Sequence, residues 1–196
     1  GGTFGNANNL QTTFTPSITN GSVWLFLNSA DPSGPCGSVT DSLQITVNPI
    51  AIVNAELDQE HCLKPNNPLT VSGLITGGAS TGTWTTLGDG TFVNVNALTT
   101  VYIPGSLDSS SLSTTLILSS TDHVVPCSAE SDTLTVTFFV NPIVEAGNNA
   151  TICSDSTLSI SGVISGGAST GTWSVSPSNG GTFGNANNLQ TTFTPS

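Results

Sequence analysis

The stretch GGTFGNANNLQTTFTPS occupies residues 1–17 and occurs again, without a single change, at residues 180–196. The second copy begins at residue 180, which gives the sequence a period of 179. Identity over so many consecutive positions marks a repeat, and internal repeats constrain an architecture more strongly than any local signal. The chain therefore contains one full period followed by the beginning of the next.

A shorter and looser repeat lies within this period. GGASTGTW occurs at residues 77–84 and at 166–173, and related segments end at Pro49 and Pro142. These matches indicate two related modules of about 90 residues in each period. The resulting frame has three parts: the C-terminal half of a module at 1–49, a complete module at 50–142, and the N-terminal half of a module at 143–196.

Each half-module is incomplete as a fold. A sandwich that lacks half of its strands has unpaired edges and an uncovered apolar face. The two halves leave opposite ends of the complete module, so they cannot easily meet within one chain. We therefore expect the 196 residues to be one window of a longer periodic polypeptide, in which neighbouring copies complete the split module. The alternative is a discrete subunit of 19.8 kDa whose halves pair between protomers, as in a strand-exchanged extracellular fibre.

The charge balance excludes several classes of partner. The chain has 1 Lys+Arg against 12 Asp+Glu, which gives a net charge of -11. Nucleic acids and anionic membrane surfaces are bound through clustered cations, so neither is an expected partner. The apolar runs are far shorter than the roughly 20 residues of a transmembrane helix, so no membrane insertion is expected in this segment.

Short apolar segments separated by Gly, Pro and Asp turns are typical of β-strands. No segment longer than a turn has helical periodicity. Seven such segments in one module predict an all-β fold of tandem immunoglobulin-like β-sandwich modules of about 90 residues, stapled by disulfides. The candidate strands of the complete module are 50–54, 69–75, 82–86, 90–94, 99–103, 113–119 and 132–140.

Comparison of the two modules predicts which face of the strand around Trp24 is buried. Leu25 and Leu27 align with leucines of the complete module, so we expect them in the core. Trp24 and Phe26 align with a threonine and an isoleucine, so their face tolerates a polar residue. This pattern predicts a surface or module-junction contact for Trp24 and Phe26.

The cysteines Cys36, Cys62, Cys127 and Cys153 form no Cys-x-x-Cys pair, which disfavours zinc and favours disulfides. The period allows a bond from Cys62 to Cys127 within a module, or one from Cys36 to Cys62 across a junction. We expect the chain after Cys62 to descend beside the last strand, which would place Cys62 near Cys127 and predicts that bond. Cys36 and Cys153 would then pair with neighbouring copies. Disulfides of this kind imply an extracellular protein.

Candidate catalytic and metal-binding residues are few. No nucleophile, base and orienting group recur together in both modules, so we predict neither an enzyme nor a cofactor. The acidic residues Glu56, Asp58 and Glu60 follow the first linker and form the one weak candidate for a calcium site, since hard oxygen ligands suit that ion. A solvated acidic linker is the simpler interpretation.

Several motifs together resemble tandem immunoglobulin-like, PKD-like repeats of very large cell-surface and gliding-associated adhesins of Bacteroidota. They include Asp58-x-x-x-Cys62, GGASTGTW, DPSGPC at 31–36 and DSLQITVNP at 41–49. The resemblance covers the whole chain. It implies a bacterial protein exported to the cell surface by type IX secretion, with a filament or stalk role.

The same resemblance implies O-glycosylation at Asp-Ser or Asp-Thr sites. The matching acceptors are Ser42, Thr133 and Ser156. The alternative interpretation is that Asp followed by Ser or Thr simply begins a strand.

These observations predict a structural extracellular repeat protein that forms a filament or an adhesin stalk. Its partners would be other copies of itself along the filament. The competing prediction is an adhesive module that binds a cell-surface glycan or protein through loops or through the Trp24 and Phe26 face.

Overall fold

The computed structural model describes all 196 residues, which form eighteen β-strands and one helix of six residues. That helix is neither long nor apolar enough to cross a membrane. Two Asn-Pro linkers, at residues 48–49 and 141–142, divide the chain into an N-terminal part, a central module and a C-terminal part.

The elements are as follows. The N-terminal part contains β1 (Gly2–Phe4), β2 (Phe14–Pro16), β3 (Gly21–Asn28) and β4 (Thr40–Val47). The central module contains β5 (Ala51–Asn54), β6 (Gln59–Leu63), β7 (Leu69–Ser72), β8 (Leu74–Gly77), β9 (Gly82–Thr86), β10 (Thr91–Phe92), β11 (Thr99–Ile103), α1 (Ser106–Ser111), β12 (Ser113–Ser120) and β13 (Ser131–Val140). The C-terminal part contains β14 (Ile143–Glu145), β15 (Leu158–Ser161), β16 (Val163–Ser165), β17 (Gly181–Phe183) and β18 (Gln190–Pro195).

The central module is a two-layer β-sandwich, so the all-β, immunoglobulin-like prediction holds for this module. One sheet has the order β6-β13-β12-β9, and the other has the order β10-β11-β7. β5 pairs with β8, which continues β7 after the single residue Gly73. All pairs are antiparallel except β6 with β13, which is parallel.

The two sheets enclose one apolar core. Alternate residues of β12 and β13 point inward, as a strand buried on one face requires. Trp84 and Tyr102 are the two largest side chains in this core, and both are 1% exposed. Every buried hydrophobic residue of the chain lies between Ala51 and Phe138. The fold therefore has a single closed core, in the central module.

Three elements differ from the expected strand pattern. The expected strand 69–75 is divided at Gly73 into β7 and β8, which belong to different sheets. β6 was not predicted, because QEHCL lacks an alternation of apolar and polar residues. β6 forms because the chain crosses from one sheet to the other at residues 55–58. The chain does not reverse there, so β6 continues in the direction of β5 and pairs in parallel with β13. α1 was not predicted either, and its first turn is held by Asp89, whose carboxylate accepts hydrogen bonds from the backbone N–H groups of Leu107 and Asp108.

The N-terminal part repeats the last strands of the central module. β3 and β4 pair as β12 and β13 do, and β1 and β2 pair as β10 and β11 do. No residue from 1 to 49 is buried. Leu27 is 62% exposed and Leu25 is half-buried, so the predicted core burial of both is not found in this chain. The reason is that no opposing sheet covers them.

The C-terminal part repeats the other half of the module. β14 pairs with β16 as β5 does with β8, and the sheet β15-β18-β17 has the order of β7-β11-β10. The strands equivalent to β12 and β13 are not among residues 143–196. The sheet of the C-terminal part is therefore open on the face that is covered in the central module.

Candidate functional site

Three aromatic rings pack in a row in the core of the central module. The ring centroids of Trp84 and Phe92 are 6.0 Å apart, and those of Phe92 and Tyr102 are 4.9 Å apart. The Trp84 indole N–H donates a hydrogen bond to the Leu98 carbonyl at 3.3 Å. These contacts satisfy the one polar atom of the indole and fix the ring against the sheet.

The open C-terminal part reproduces this arrangement. The ring centroids of Trp173 and Phe183 are 6.3 Å apart, and those of Phe183 and Phe193 are 5.3 Å apart. The Trp173 indole donates to the Asn188 carbonyl at 3.0 Å, which matches the bond made by the tryptophan of the central module. The aromatic contacts and the tryptophan hydrogen bond therefore persist in half of a module, whereas residues 150–154 and 171–175, the counterparts of β6 and β9, form no strand.

In the central module, Leu118 fills the space above the tryptophan. Its side chain lies against Gly73 and Gly82, and a Cβ at Gly73 would overlap the Leu118 Cδ2 atom. Leu118 has no exposed surface. Gly73, between β7 and β8, and Gly82, on β9, thus make room for one leucine, which is paired with Trp84 across the neighbouring strands β12 and β9.

The equivalent space in the C-terminal part is an empty cavity of about 470 Å³. Gly162, Gly171 and Trp173 line it at the positions that correspond to Gly73, Gly82 and Trp84 of the central module. A Cβ at Gly162 would meet the indole and a backbone carbonyl but no leucine. We call this cavity the socket.

The leucine that would fit the socket is exposed at the other end of the chain. Leu27 occupies in β3 the position that Leu118 occupies in β12, because Leu27 pairs with Asp41 and Leu118 pairs with Asp132. Leu43, on β4 beside it, is 55% exposed. The β3–β4 hairpin therefore presents the apolar face that the C-terminal part lacks.

A polar contact follows the same pattern. The Asp122 carboxylate accepts hydrogen bonds from the N–H groups of Ser80 and Thr81, both at 2.9 Å, and from the Ser80 hydroxyl at 2.7 Å. These bonds, led by the one from the Thr81 backbone, hold the pKa of Asp122 far below its usual range. This carboxylate thereby anchors the GGAST loop.

The partners of the equivalent contact are separated in this chain. Asp31 corresponds to Asp122, and Ser169 and Thr170 correspond to the serine and threonine of the anchored loop. Asp31 is exposed and makes no such contact. The motif DPSGPC contains Asp31, but its anchoring role was not predicted from the sequence; the signal for it is the aspartate that recurs five residues before Cys36 and before Cys127.

Trp24 and Phe26 lie on the outer face of β3, away from the face of Leu27, and are 55% and 62% exposed. They are opposite Gln44 and Ser42 in the register of β4. Adjacent exposed aromatic rings can stack on sugar rings or pack against another protein. Both rings are exposed in this chain, and their role in a surface or module-junction contact stays a prediction.

The predicted bond between Cys62 and Cys127 is wrong. β6 runs parallel to β13, and Cys62 is opposite Phe139 near the end of β13. Cys127 precedes the start of β13, so the two cysteines are separated by most of that strand, about 26 Å at the usual rise per residue. A disulfide requires Cα atoms within about 7 Å. All four cysteines of the chain are free thiols.

The acidic residues after the first linker do not converge. No group of three or more His, Cys, Asp or Glu side chains is close enough to hold a metal ion. The Asp58 carboxylate instead accepts a hydrogen bond from the Thr135 N–H at 2.8 Å. Glu56, with φ of 69°, lies in the crossing between the sheets, and Glu60 is an exposed residue of β6. These three residues, the one weak calcium candidate of the sequence, therefore do not form a cluster of ligands in this chain.

Two of the three candidate glycosylation sites, Ser42 and Thr133, are each the third residue of a strand, and Ser156 follows a turn at residues 154–155. Ser42 and Thr133 are exposed, and Ser156 is half-buried. All three aspartates accept hydrogen bonds. Asp41 accepts from the Ser42 N–H, Asp132 from the Ala55 N–H, and Asp155 from the Ser156 hydroxyl. Both interpretations of these sites, acceptor and strand start, fit this placement.

Comparison with protein-family models and with curated proteins finds no match to this chain. Two solved structures align with it, of protocadherin gamma B7 extracellular cadherin domains 1–4 (TM-score 0.44, 15% identity) and of the protocadherin gammaB7 EC3-6 cis-dimer (TM-score 0.41, 11% identity). The alignments cover 94% and 99% of this chain. The chain spans about half of each structure, at 52% and 57%.

Proposed function

We propose that this chain is a structural repeat protein of an extracellular filament or adhesin stalk, in which each copy completes the split module of its neighbour. The observation that carries the proposal is the match between the empty socket at Trp173 and the exposed Leu27. The occupant is residues 18–49 of the next copy. Residues 143–196 of one copy and 18–49 of the next would then form a module like the central one.

The two identical stretches support this assembly. Gly2 pairs with Pro16 and Phe4 with Phe14 in the first stretch, and the equivalent residues of the second stretch pair in the same way. The β1–β2 and β17–β18 hairpins both correspond to β10–β11 of the central module. A completed module has one such position, so only one of the two hairpins can occupy it. This redundancy favours a continuous chain with a period of 179, in which the two stretches are one segment.

The free energy of assembly would come from the apolar faces that are now exposed. Burying a leucine such as Leu27 or Leu43 contributes about 1.5–3 kcal/mol. Asp31 would anchor the loop at Ser169 and Thr170 as Asp122 anchors its equivalent in the central module.

The placement of the linkers gives the assembly its shape. β13 runs from the end of the module that touches Asn48 to the end that leads into Asn141. Each module thus receives and releases the chain at opposite ends, and a string of modules extends rather than folding back. The motif resemblance to cell-surface adhesin repeats supports an extracellular location and a bacterial source.

The first experiment measures assembly of the 196-residue protein by sedimentation velocity in reducing buffer. We expect a concentration-dependent series of species at multiples of 19.8 kDa. Leu27→Asp should abolish the series, because a carboxylate cannot be buried against Trp173 without a partner. The matched control is Phe26→Asp, on the outer face of the same strand, which should assemble as the unmodified protein does.

Removal of the redundant hairpin sharpens the test. A chain of residues 18–196 contains one period and has no second copy of the hairpin to displace, so it should assemble more tightly. A monomeric protein at every concentration would contradict the proposal, as would equal assembly of L27D and F26D. A reducing denaturing gel of native material separates the two forms, since a band near 19.8 kDa identifies discrete subunits.

A further inference from the structure

The two thiols of the central module lie at its opposite ends, and each is next to a linker. The Cys127 sulfur is 3.7 Å from the carbonyl oxygen of Asn48, in the linker before the module. The Cys62 sulfur is 4.0 Å from the side-chain oxygen of Asn141, in the linker after the module. Each half-buried thiol therefore faces a junction rather than the interior of its own module.

The repeat brings the two kinds of thiol to one position of the chain. Gly77 packs on Ile50, and its counterpart Gly166 packs on Asn141. Asn141 therefore has the position of Ile50 relative to the module that follows, and Phe139 has the position of Asn48. A Cys127-type sulfur of the following module is thus expected at the Phe139 carbonyl, and Phe139 is the residue opposite Cys62 in the pairing of β6 with β13.

We propose that a disulfide bridges each junction between consecutive modules, from the Cys62-type thiol of one module to the Cys127-type thiol of the module that follows it. This inference rests on the series assembly proposed above. In terms of copies, Cys62 bonds to the next copy's Cys36, and Cys153 bonds to the next copy's Cys127. The partner copy is the next repeat of the same polypeptide, or a separate subunit if the fibre is made of discrete chains.

The pattern uses every cysteine once. Cys36 repeats the position of Cys127, and Cys153 repeats that of Cys62, so the two kinds of cysteine alternate along the chain. When the residues of the next copy are numbered by adding the period of 179, the bond from Cys62 and the bond from Cys153 span the same number of residues. Each module is then bonded to both of its neighbours, which resists bending at the linkers and keeps the modules connected if one of them opens.

The bond forms by thiol–disulfide exchange. One thiolate attacks a disulfide oxidant, such as an oxidised thiol oxidoreductase outside the cell or oxidised glutathione in vitro. The second thiolate then displaces the oxidant's thiol from the mixed disulfide. The two cysteine thiols lose two protons and two electrons, and the oxidant leaves as two thiols.

Two double variants test the pairing, and each keeps two cysteines. The purified chains are assembled in a glutathione redox buffer, alkylated and run on a non-reducing denaturing gel. Cys36→Ser with Cys62→Ser retains the Cys153 bond to the next copy's Cys127, so it should give a ladder at multiples of 19.8 kDa that reductant collapses. Cys62→Ser with Cys127→Ser retains only thiols at opposite ends of one module, so it should run as a single band.

Pairing within modules predicts the reverse, with a ladder from C62S/C127S and none from C36S/C62S, and that result would overturn the inference. A cross-linked peptide that joins Cys62 to Cys127 would overturn it as well. Sedimentation in reducing buffer separates this outcome from a failure of the series assembly. Assembly without a ladder from C36S/C62S refutes only the disulfide, whereas the absence of any assembly refutes both.

Discussion

At the scale of single residues, short side chains position the loops of each module. The Asp122 carboxylate accepts three hydrogen bonds from Ser80 and Thr81 and is itself exposed, so water competes for every one of them. The bonds require the ionised form. The loop is therefore sensitive to acid, although the core beneath it contains few ionisable groups.

The Asp122→Asn variant tests this sensitivity. The folded pKa of Asp122 is lowered, so its contribution to stability is present above the ordinary carboxyl pKa of about 4 and is lost as the pH falls below it. We expect a lower melting temperature than the unmodified protein at pH 7, and a smaller drop between pH 4 and pH 2. Thermal melts followed by circular dichroism measure both.

Asp155→Asn is the control for this prediction, since Asp155 is exposed and accepts only from the adjacent Ser156 hydroxyl. It should melt as the unmodified protein does. An acid profile of D122N identical to that of the unmodified protein would refute the role of the carboxylate.

At the scale of elements, the GGAST loop is built to lie against the linker. Gly77 has φ of 77°, a region that favours glycine, and the Gly78 N–H donates to the Ile50 carbonyl at 2.8 Å. Gly166 has φ of 73° and packs on the second linker in the same way. The loop thus fixes the direction in which each module leaves its linker.

Gly77→Ala should destabilise the central module by about 1–3 kcal/mol. The substitution puts a Cβ in a strained backbone conformation and against the Ile50 carbonyl oxygen. Urea unfolding followed by circular dichroism measures the change. Gly37→Ala is the matched control, because Gly37 has no atom near its missing Cβ, and it should change the unfolding free energy by less than about 0.5 kcal/mol. Equal midpoints for the two variants would contradict the close packing.

At the scale of the whole molecule, one closed module lies between two open ones. β3 and β12 have the same length of eight residues and equivalent pairing with their neighbours β4 and β13. β12 is also flanked by β9 and covered by the second sheet, whereas β3 is an edge on an uncovered pair. β3 and β12 therefore have the same sequence pattern, but we expect β3 to be the less stable strand in this chain.

Hydrogen exchange of the dilute protein should show this difference. We expect amides of residues 113–120 to exchange far more slowly than those of 21–28, because an uncovered two-stranded pair opens readily. Assembly should then slow the exchange of residues 21–28 and leave that of 113–120 unchanged. Peptide-level mass spectrometry compares the two strands in one sample. Equal protection in the dilute monomer would show that β3 is already covered and would contradict an open half-module.

Much of the fold was predictable from the sequence, for identifiable reasons. The strands of the central module were predicted because alternation along a half-buried strand is a local pattern. β6 was missed because pairing with β13, rather than its own alternation, makes it a strand. Its direction then reversed the expected placement of Cys62. The socket was not predicted, because a cavity depends on which strands are absent as well as on which residues are present.

The sequence by itself determined the period of the chain, the all-β class and the approximate position of most strands of the central module, because repeats and alternation are properties of consecutive residues. Only the tertiary structure decided which end of a module each cysteine occupies and which leucine fits above which tryptophan. Those facts depend on the direction in which a strand crosses between sheets. That direction is set by the packing of segments far apart in the chain, and no local pattern encodes it.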